Sequence, residues 1–414
     1  MKTKIPYKWE LVIWLFIAFF FNQADRQVFN VLLLDIQNDL GLTSKAMGLV
    51  GTSLILVNGL FLPVAGILGD RVSKKWILVA ALAIWSTATM FTGLTMTLPG
   101  LIMLRSVATG GGEAFYAPSA NKLISENHPV ESRATALSVH QSALYTGFII
   151  SGVAAAALAA AMGWRKVFFL FGGLGILLAA LMAWRIHPDK VEKSSEPVGS
   201  LIRGGLRAFF TSPTAWMLAL ACAGFNFAGQ AFLVWMPTCL HDTLGLDTVK
   251  SAFDASFYPQ TASICGVLIG ARLADRNVGR QPKSRMIVQT AGFVLGAPFL
   301  FLIGVGSTEF VLCLAMVGYG LFKGMYDSNL FAAVYDVVDA KYSAMATSFI
   351  LMFSFLIACT SPLLLGVLKP AIGLAGGMKL MSVVYLASAI PLLIAIFYTF
   401  DKERRSKYEN VHEN

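Results

Sequence analysis

Residues 20–30 read FFNQADRQVFN and place an acid next to a base, Asp25 and Arg26, at the end of a long apolar run. A charged side chain near the centre of a bilayer costs about 2.5–3.5 kcal/mol on insertion scales, so two such charges must face protein or water. One helix face, at spacings of i, i+3, i+4 and i+7, carries Asn22, Asp25, Arg26 and Phe29. We expect this face to look onto a path for a substrate or an ion.

The composition is that of a helical membrane protein. Of the 414 residues, 56% are apolar and 13% are charged, and the mean hydropathy is +0.68. Only helices and closed barrels satisfy the backbone in lipid, and the alternating segments of a barrel are missing from this sequence. At roughly 20 residues per span, we predict about twelve spans, at 10–36, 45–69, 76–97, 99–123, 134–161, 165–186, 212–241, 250–275, 284–305, 308–338, 342–368 and 374–400.

The net charge of +9 is explained by membrane topology and does not indicate a nucleic-acid partner. Lysines and arginines cluster before the first span, between the second and third, after the sixth and near residue 405, whereas the connections after residues 36 and 97 carry almost none. The positive-inside rule therefore predicts that both termini are cytoplasmic. We expect an integral protein of a bacterial cytoplasmic (inner) membrane, working as a monomer.

A polar segment divides the chain. We predict an N-terminal six-helix bundle over 1–187, a cytoplasmic linker over 188–210 and a C-terminal six-helix bundle with a short tail over 211–414. The end of the linker mixes basic with apolar residues, which is typical of a short helix lying on the membrane surface. These residues are Arg203, Leu206, Arg207, Phe209 and Phe210.

The two halves resemble each other in sequence. FNQADR at 21–26 aligns with FNFAGQ at 225–230, and LGL at 40–42 aligns with LGL at 244–246 at the same offset. Three such matches in order, the third in the loops described next, indicate duplicated halves. Charge is kept in one half only, because Gly229 and Gln230 replace the acid–base pair.

Two loops carry a recognisable motif. GILGDRVSKK at 66–75 and ARLADRNVGR at 271–280 resemble the signature loop of major facilitator transporters. The resemblance implies an all-α membrane fold of twelve transmembrane helices in two pseudo-symmetric six-helix bundles, with the substrate site near the midplane. It also implies a gating role for Gly66, Asp70, Arg71, Asp275 and Arg276, together with Arg133, which resembles another signature residue.

The fourth span contains RSVATGGGEAFYAP at 105–118. A phosphate loop is excluded because no Gly-Lys-Ser/Thr follows the glycines. Glycines inside a span allow close packing or a bend, which would leave Glu113 beside a cavity. Two interpretations stay open, a functional carboxyl or a structural ion pair with Arg26, Arg105 or Lys323.

With Asp25-Arg26, Glu113-Ala114 and Pro118, the chain resembles the anion:cation symporter branch of this superfamily, which imports sugar acids and other organic anions, commonly with protons. The resemblance implies that Arg26 binds a substrate carboxylate and that Asp25 and Glu113 carry protons. The branch usually has an arginine seven residues before the glutamate, but Arg105 stands eight before Glu113, a rotation of about 100° on an α-helix. Spinster-type lysolipid transporters share the same features and provide the alternative.

Further polar residues in the spans are candidates for substrate binding. They are Asn22, Tyr116, His140, Gln141, Tyr145, Asn226, Gln230, Lys323 and Tyr326. Asn226 and Gln230 are neutral donors suited to sugar hydroxyls. His140 has a packing role as its alternative, and Lys323 can instead be neutralised by Asp327 at i, i+4.

We therefore expect a secondary active transporter that works by alternating access. It would import a small organic anion, such as a hexuronate, an aldonate or a sialate, together with protons or Na⁺. The sequence contains no HExxH, Cys/His metal pattern, nucleophile elbow or P-loop. We expect no enzymatic activity, cofactor or metal, and no partner beyond the substrate, the coupling ion and the bilayer.

Overall fold

The computed structural model describes residues 6–69, 72–189, 198–278, 281–335, 337–338 and 340–403. Within these ranges every regular element is a helix, and 8 segments are long and apolar enough to cross a membrane. The helical membrane class is confirmed, while the count of twelve spans stays a prediction. The chain divides into two compact units, Met1–Ser195 with Leu246–Ser256, and Glu196–Gly245 with Phe257–Asn414.

The helices up to Arg185 build most of the first unit. They are α1 (Tyr7–Val31), α2 (Leu33–Asp39), α3 (Ser44–Gly69), α4 (Lys74–Thr92), α5 (Leu98–Ile102), α6 (Gly111–Ala114), α7 (Tyr116–Asn127), α8 (Val130–Met162) and α9 (Trp164–Arg185). Between α5 and α6 the backbone is π-helical from Met103 to Gly110. The core of this unit is formed by side chains of α1, α4, α7, α8 and α9, among them Leu15, Trp85 and Tyr116.

Two glycines show why these helices can turn and pack as they do. Gly163 separates α8 from α9 with φ of +83°, a conformation that residues with a Cβ rarely adopt. Gly147 lies where α8 crosses α1, and a Cβ there would come within 2.9 Å of Cβ of Gln23 and 3.0 Å of the carbonyl oxygen of Phe20. Glycine therefore allows α8 to pack closely against the part of α1 that leads to Asp25.

The remaining helices follow from residue 198. They are α10 (Val198–Thr211), α11 (Pro213–Leu244), α12 (Thr248–Val278), α13 (Ser284–Ile303), α14 (Glu309–Asp327), α15 (Leu330–Tyr335), α16 (Ala340–Ala358), α17 (Thr360–Ala387) and α18 (Ala389–Ile394), followed by a π-helical turn over Ala395–Thr399. The backbone of α17 kinks at Gly373, where φ is +67°, so two helical segments meet there. Aromatic rings of Phe225, Phe293, Tyr326 and Tyr385 pack together inside the second unit.

Candidate functional site

Four charged side chains converge on one turn of α1. Nε of Arg26 donates to Oε2 of Glu113 over 2.6 Å, and the side chains are 25% and 0% exposed. Nη2 of Arg105 donates to the backbone oxygen of Asp25 over 2.8 Å. Asp25 itself is 2% exposed and Arg105 is 0% exposed. Two acids and two bases thus form a largely buried cluster of formally zero net charge.

The π-helical segment explains how Arg105 reaches this cluster. The segment covers Met103–Gly110, and Oγ1 of Thr109 donates to the carbonyl oxygen of Leu104, five residues back, over 2.9 Å. A π-helical turn takes up about one residue more than an α-helical turn. The extra residue in the eight-residue spacing from Arg105 to Glu113 is absorbed there, so the rotation expected for a continuous α-helix does not occur. The glycines signalled an irregular helix in the sequence, but not this type of irregularity.

The two carboxyl groups each retain an oxygen without a hydrogen bond. Within the described part of the chain, Oδ1 of Asp25 and Oε1 of Glu113 are buried and find no donor. A buried carboxylate oxygen without a donor is costly, so each of these oxygens can accept a hydrogen bond from a further donor.

Arg105 is held more firmly than Arg26. Its guanidinium carbon lies 5.2 Å from the ring centroid of Phe29 and 5.9 Å from that of Phe168. Its Nη1 is 3.4 Å from Oγ1 of Thr89. Because Arg105 is enclosed by these groups, its position favours a supporting role toward α1, and Arg26 is the more accessible of the two arginines.

Three of the predicted substrate contacts in the first unit are buried in its interior. Oδ1 of Asn22 accepts from Nε2 of its neighbour Gln23 over 2.7 Å. The hydroxyl of Tyr116 donates to the carbonyl oxygen of Leu15 over 2.5 Å and lies 3.2 Å from Nε2 of His140. Both rings are fully buried, which is the packing arrangement that the sequence left open for His140.

The other two candidates of α8 are more accessible. Gln141 is exposed, and Tyr145, one turn further along, is half-buried. The i, i+4 spacing on a regular helix places both on one face of α8.

In the second unit, the predicted contacts differ in their environments. Nδ2 of Asn226 donates to Oγ of Ser354 over 2.9 Å, and Gln230, one turn further along α11, is half-buried. Nζ of Lys323 donates to Oδ2 of Asp327 over 2.8 Å, so the neutralising pair at i, i+4 is formed. Tyr326 is fully buried with its ring 4.3 Å from that of Phe225, and Nζ of Lys323 lies 5.6 Å from the same Phe225 ring.

The predicted gating residues are only partly visible. Asp70 and Arg71 lie outside the described residues. Gly66 and Arg133 lie within α3 and α8, but the surroundings of these two residues are outside the description. Asp275 and Arg276 are exposed at the end of α12, where Oδ1 of Asp275 is 3.7 Å from Nη2 of Arg285.

Asp189 is a residue that the sequence reasoning missed beside the first signature loop. Its carboxylate accepts from Oγ of Ser73 over 2.6 Å and from the backbone nitrogens of Lys74 and Lys75 over 2.9 and 3.1 Å. It thereby caps the N-terminus of α4, where negative charge is favourable. Burial raises the pKa of Asp189, but these hydrogen bonds outweigh that effect and hold it at about 2.

Comparison with known proteins agrees with this picture. The sequence profile of the family described as "Major Facilitator Superfamily" matches residues 15–362. The "Probable anion transporter 4, chloroplastic" of Oryza sativa subsp. japonica is 28% identical over 75% of this chain, which spans only 56% of that protein's length. The "Probable L-galactonate transporter" of Escherichia coli (strain K12) is 26% identical over 85% of this chain and 81% of its own.

A solved structure shows the same fold. It is a bacterial homolog of the human lysosomal transporter Spinster in an inward-facing and occupied conformation. The match has a TM-score of 0.81 and covers 97% of this chain and 99% of that one, at 20% identity. At this identity the likeness establishes the fold alone.

Proposed function

The chain belongs to the major facilitator superfamily, a family of membrane transporters and not of enzymes, and from that premise we propose that it carries a small organic anion together with protons. A sugar acid such as a hexuronate, an aldonate or a sialate is the proposed substrate class. The relative named for L-galactonate, which is an aldonate, and the rice relative named as an anion transporter support this class.

The availability of Arg26 carries the proposal. Among the described residues, only its Nε is hydrogen-bonded, to Glu113, which leaves both terminal nitrogens to receive a carboxylate. Arginine suits this task because its planar fork matches a carboxylate in a bidentate geometry. Its side chain is also the one in the charged cluster that is substantially exposed, at 25%.

The charge balance of the cluster supports coupling to protons. Asp25, Arg26, Arg105 and Glu113 sum to zero when all are ionised, so a bound monoanion would leave one uncompensated negative charge in a buried site. Uncompensated charge inside a membrane protein is costly. One proton on Asp25 or Glu113, each of which has a carboxyl oxygen without a donor, restores neutrality. Substrate and proton would then cross together. Na⁺ would compensate the charge in the same way only if oxygen atoms of the site coordinated it in place of the proton.

The remaining candidates complete the proposal. Asn22, Gln141, Tyr145, Asn226, Gln230, Lys323 and Tyr326 would contact the substrate during alternating access. Tyr116 and His140, which are bonded to each other in the core, would position α1 near the charged cluster. Gating would fall to Gly66, Asp70, Arg71, Arg133, Asp275 and Arg276.

Uptake by the purified chain in liposomes tests this proposal. Labelled hexuronates, aldonates and sialate would be supplied outside, with an inward proton gradient and no other driving force. We expect accumulation of one sugar acid above its external concentration, lost in Arg26→Ala and abolished by a protonophore. Transport of lysophospholipids but not of sugar acids would instead support the spinster-like alternative.

A further inference from the structure

Helix α10 is attached to the second unit through one of its faces. A Cβ at Gly205 would come within 2.4 Å of Cγ of Met345 on α16, so the helix backbone itself is packed there. Phe209 is 3% exposed, with its ring centroid 4.6 Å from that of Trp216 and 6.5 Å from that of Phe353. Phe209 is therefore part of the face of α10 that packs against the rest of the second unit.

The opposite face of α10 is open and has an unusual mixture of side chains. Arg203 and Arg207 are exposed, and Phe210 is 60% exposed. A shallow groove of about 500 Å³ runs along this face and is lined by Gly199, Ile202, Arg203, Leu206, Arg207 and Phe210. We call this set of residues the α10 outer face.

The charge of the α10 outer face is uniformly positive. Val198–Thr211 contains two arginines and no acidic residue, and no carboxylate in the described ranges forms an ion pair with either arginine. Arg203 and Arg207 are one helical turn apart and therefore neighbours. Two adjacent guanidinium groups can donate to the oxygens of a single phosphate.

The position of α10 directly before α11 indicates which kind of ligand its outer face can meet. Its last residue, Thr211, is two residues before Pro213, where the long apolar helix α11 begins. The α10 outer face must therefore lie close to the level at which α11 enters the membrane. Phe210, 5.5 Å from the ring of Trp216 in the first turn of α11, is the kind of aromatic residue found at that level.

We propose that the α10 outer face is a docking surface for anionic phospholipids of the adjacent leaflet. Arg203 and Arg207 bind the phosphate headgroup, while Ile202, Leu206 and Phe210 enter the boundary with the acyl chains. A soluble anion would need the arginines but not the exposed apolar side chains between them. This site uses none of the residues of the charged cluster on α1 and does not depend on which anion is transported.

Lipid retention by the full chain provides the test. Phosphatidylglycerol is titrated into the protein held in detergent micelles containing phosphatidylcholine, and bound lipid is counted by native mass spectrometry. A basic residue that contacts the headgroup of a bound anionic lipid contributes a factor of about 5, so we expect Arg203→Gln with Arg207→Gln to weaken phosphatidylglycerol binding by about 30-fold. The control is Lys45→Gln with Lys166→Gln, which removes the same charge from two exposed positions outside α10. It should leave the binding unchanged.

The apolar half of the proposal has its own test. Phe210→Gln should weaken phosphatidylglycerol binding several-fold with both arginines intact, and inorganic phosphate should not displace the lipid. Equal binding by wild type and the double arginine variant, or an equal loss in the lysine control, would overturn the proposal. Full displacement by inorganic phosphate, with no effect of Phe210→Gln, would overturn it in favour of a soluble anion. All five substituted positions are exposed, and an unchanged melting temperature verifies that each variant folds.

Discussion

Nε of Arg26 on α1 and Oε2 of Glu113 on α6 are 2.6 Å apart, in a pair whose carboxylate is fully enclosed and whose guanidinium is 25% exposed. Glu113 thus holds the Arg26 guanidinium in a position that is partly accessible, while its own carboxylate is enclosed. In the proposed function, this asymmetry would allow a substrate carboxylate and Glu113 to compete for the same guanidinium.

Removal of the Arg26 guanidinium should abolish substrate binding. Truncating one partner of a buried, hydrogen-bonded charge pair costs about 2–5 kcal/mol, so Arg26→Ala should weaken affinity by at least about 30-fold. Arg26→Lys keeps the positive charge but loses the planar fork of the guanidinium, so its substrate affinity should lie between those of the wild type and Arg26→Ala. Titration calorimetry on detergent-purified protein measures the affinity. Wild-type affinity in a folded Arg26→Ala variant would contradict the assignment.

Neutralisation of Glu113 should strengthen substrate binding. Glu113→Gln removes the negative charge that pairs with Nε of Arg26, so the guanidinium keeps its full positive charge for the carboxylate of the substrate. We expect an affinity several-fold above that of the wild type at the same pH, measured by titration calorimetry. An affinity at or below the wild-type value in a folded Glu113→Gln variant would contradict the competition between Glu113 and the substrate for Arg26.

The charged residues of the site could be found from the sequence, but their arrangement could not. Asp25, Arg26 and Glu113 are conspicuous because charge is expensive in an apolar span. The position of Arg105 was missed because residue spacing is converted to direction by assuming an α-helix, and MLRSVATG has no local signal for a π-helix. Asp189 was missed because its partner Lys74 is 115 residues away, and no local pattern encodes that contact.

Deletion of one residue from the π-helical segment should be tolerated. Removing Val107, whose side chain is 44% exposed, should convert the π-helical turn to an α-helical one and leave Arg105 and Glu113 on one face at a spacing of seven residues. We expect substrate affinity within a few-fold of the wild type. Circular dichroism, melting temperature and binding of the purified variant measure the outcome.

The matched control is deletion of Ile84, an aliphatic residue of 53% exposure in the regular helix α4. This helix has no π-helical turn that could give up a residue. The part of α4 beyond the deletion therefore rotates by about 100°, and its buried side chains no longer face the core. That variant should fail to fold. Equal damage by the two deletions would show that the π-helical segment does not absorb a residue in the way described.

Loss of the Asp189 cap should destabilise the first unit in a pH-dependent manner. Asp189→Asn removes charge-assisted hydrogen bonds from Ser73, Lys74 and Lys75 and should cost about 2 kcal/mol at neutral pH. The pKa of Asp189 is lowered from 3.8 to about 2 in the folded state, so its contribution is complete above pH 3.8 and is lost as the pH falls toward 2. The difference in melting temperature between wild type and variant should shrink over that window.

Asp275→Asn is the control for this effect, because Asp275 is exposed and 3.7 Å from its basic neighbour Arg285. Surface pairs of this kind contribute about 0–1 kcal/mol, so its melting temperature should stay near the wild-type value at every pH. A destabilisation by Asp189→Asn that persists undiminished at the acid end would show that the carboxylate charge is not its source.

The measurement that tests the central claim most directly is proton movement in liposomes that contain the purified chain and an internal pH indicator. Addition of a transported sugar acid, with no imposed pH gradient, should acidify the interior in the wild type. In Asp25→Asn, acidification should be lost although the variant still binds the substrate. Uptake of the sugar acid without any change in internal pH would contradict proton coupling, and acidification by Asp25→Asn equal to that of the wild type would contradict the role given to Asp25.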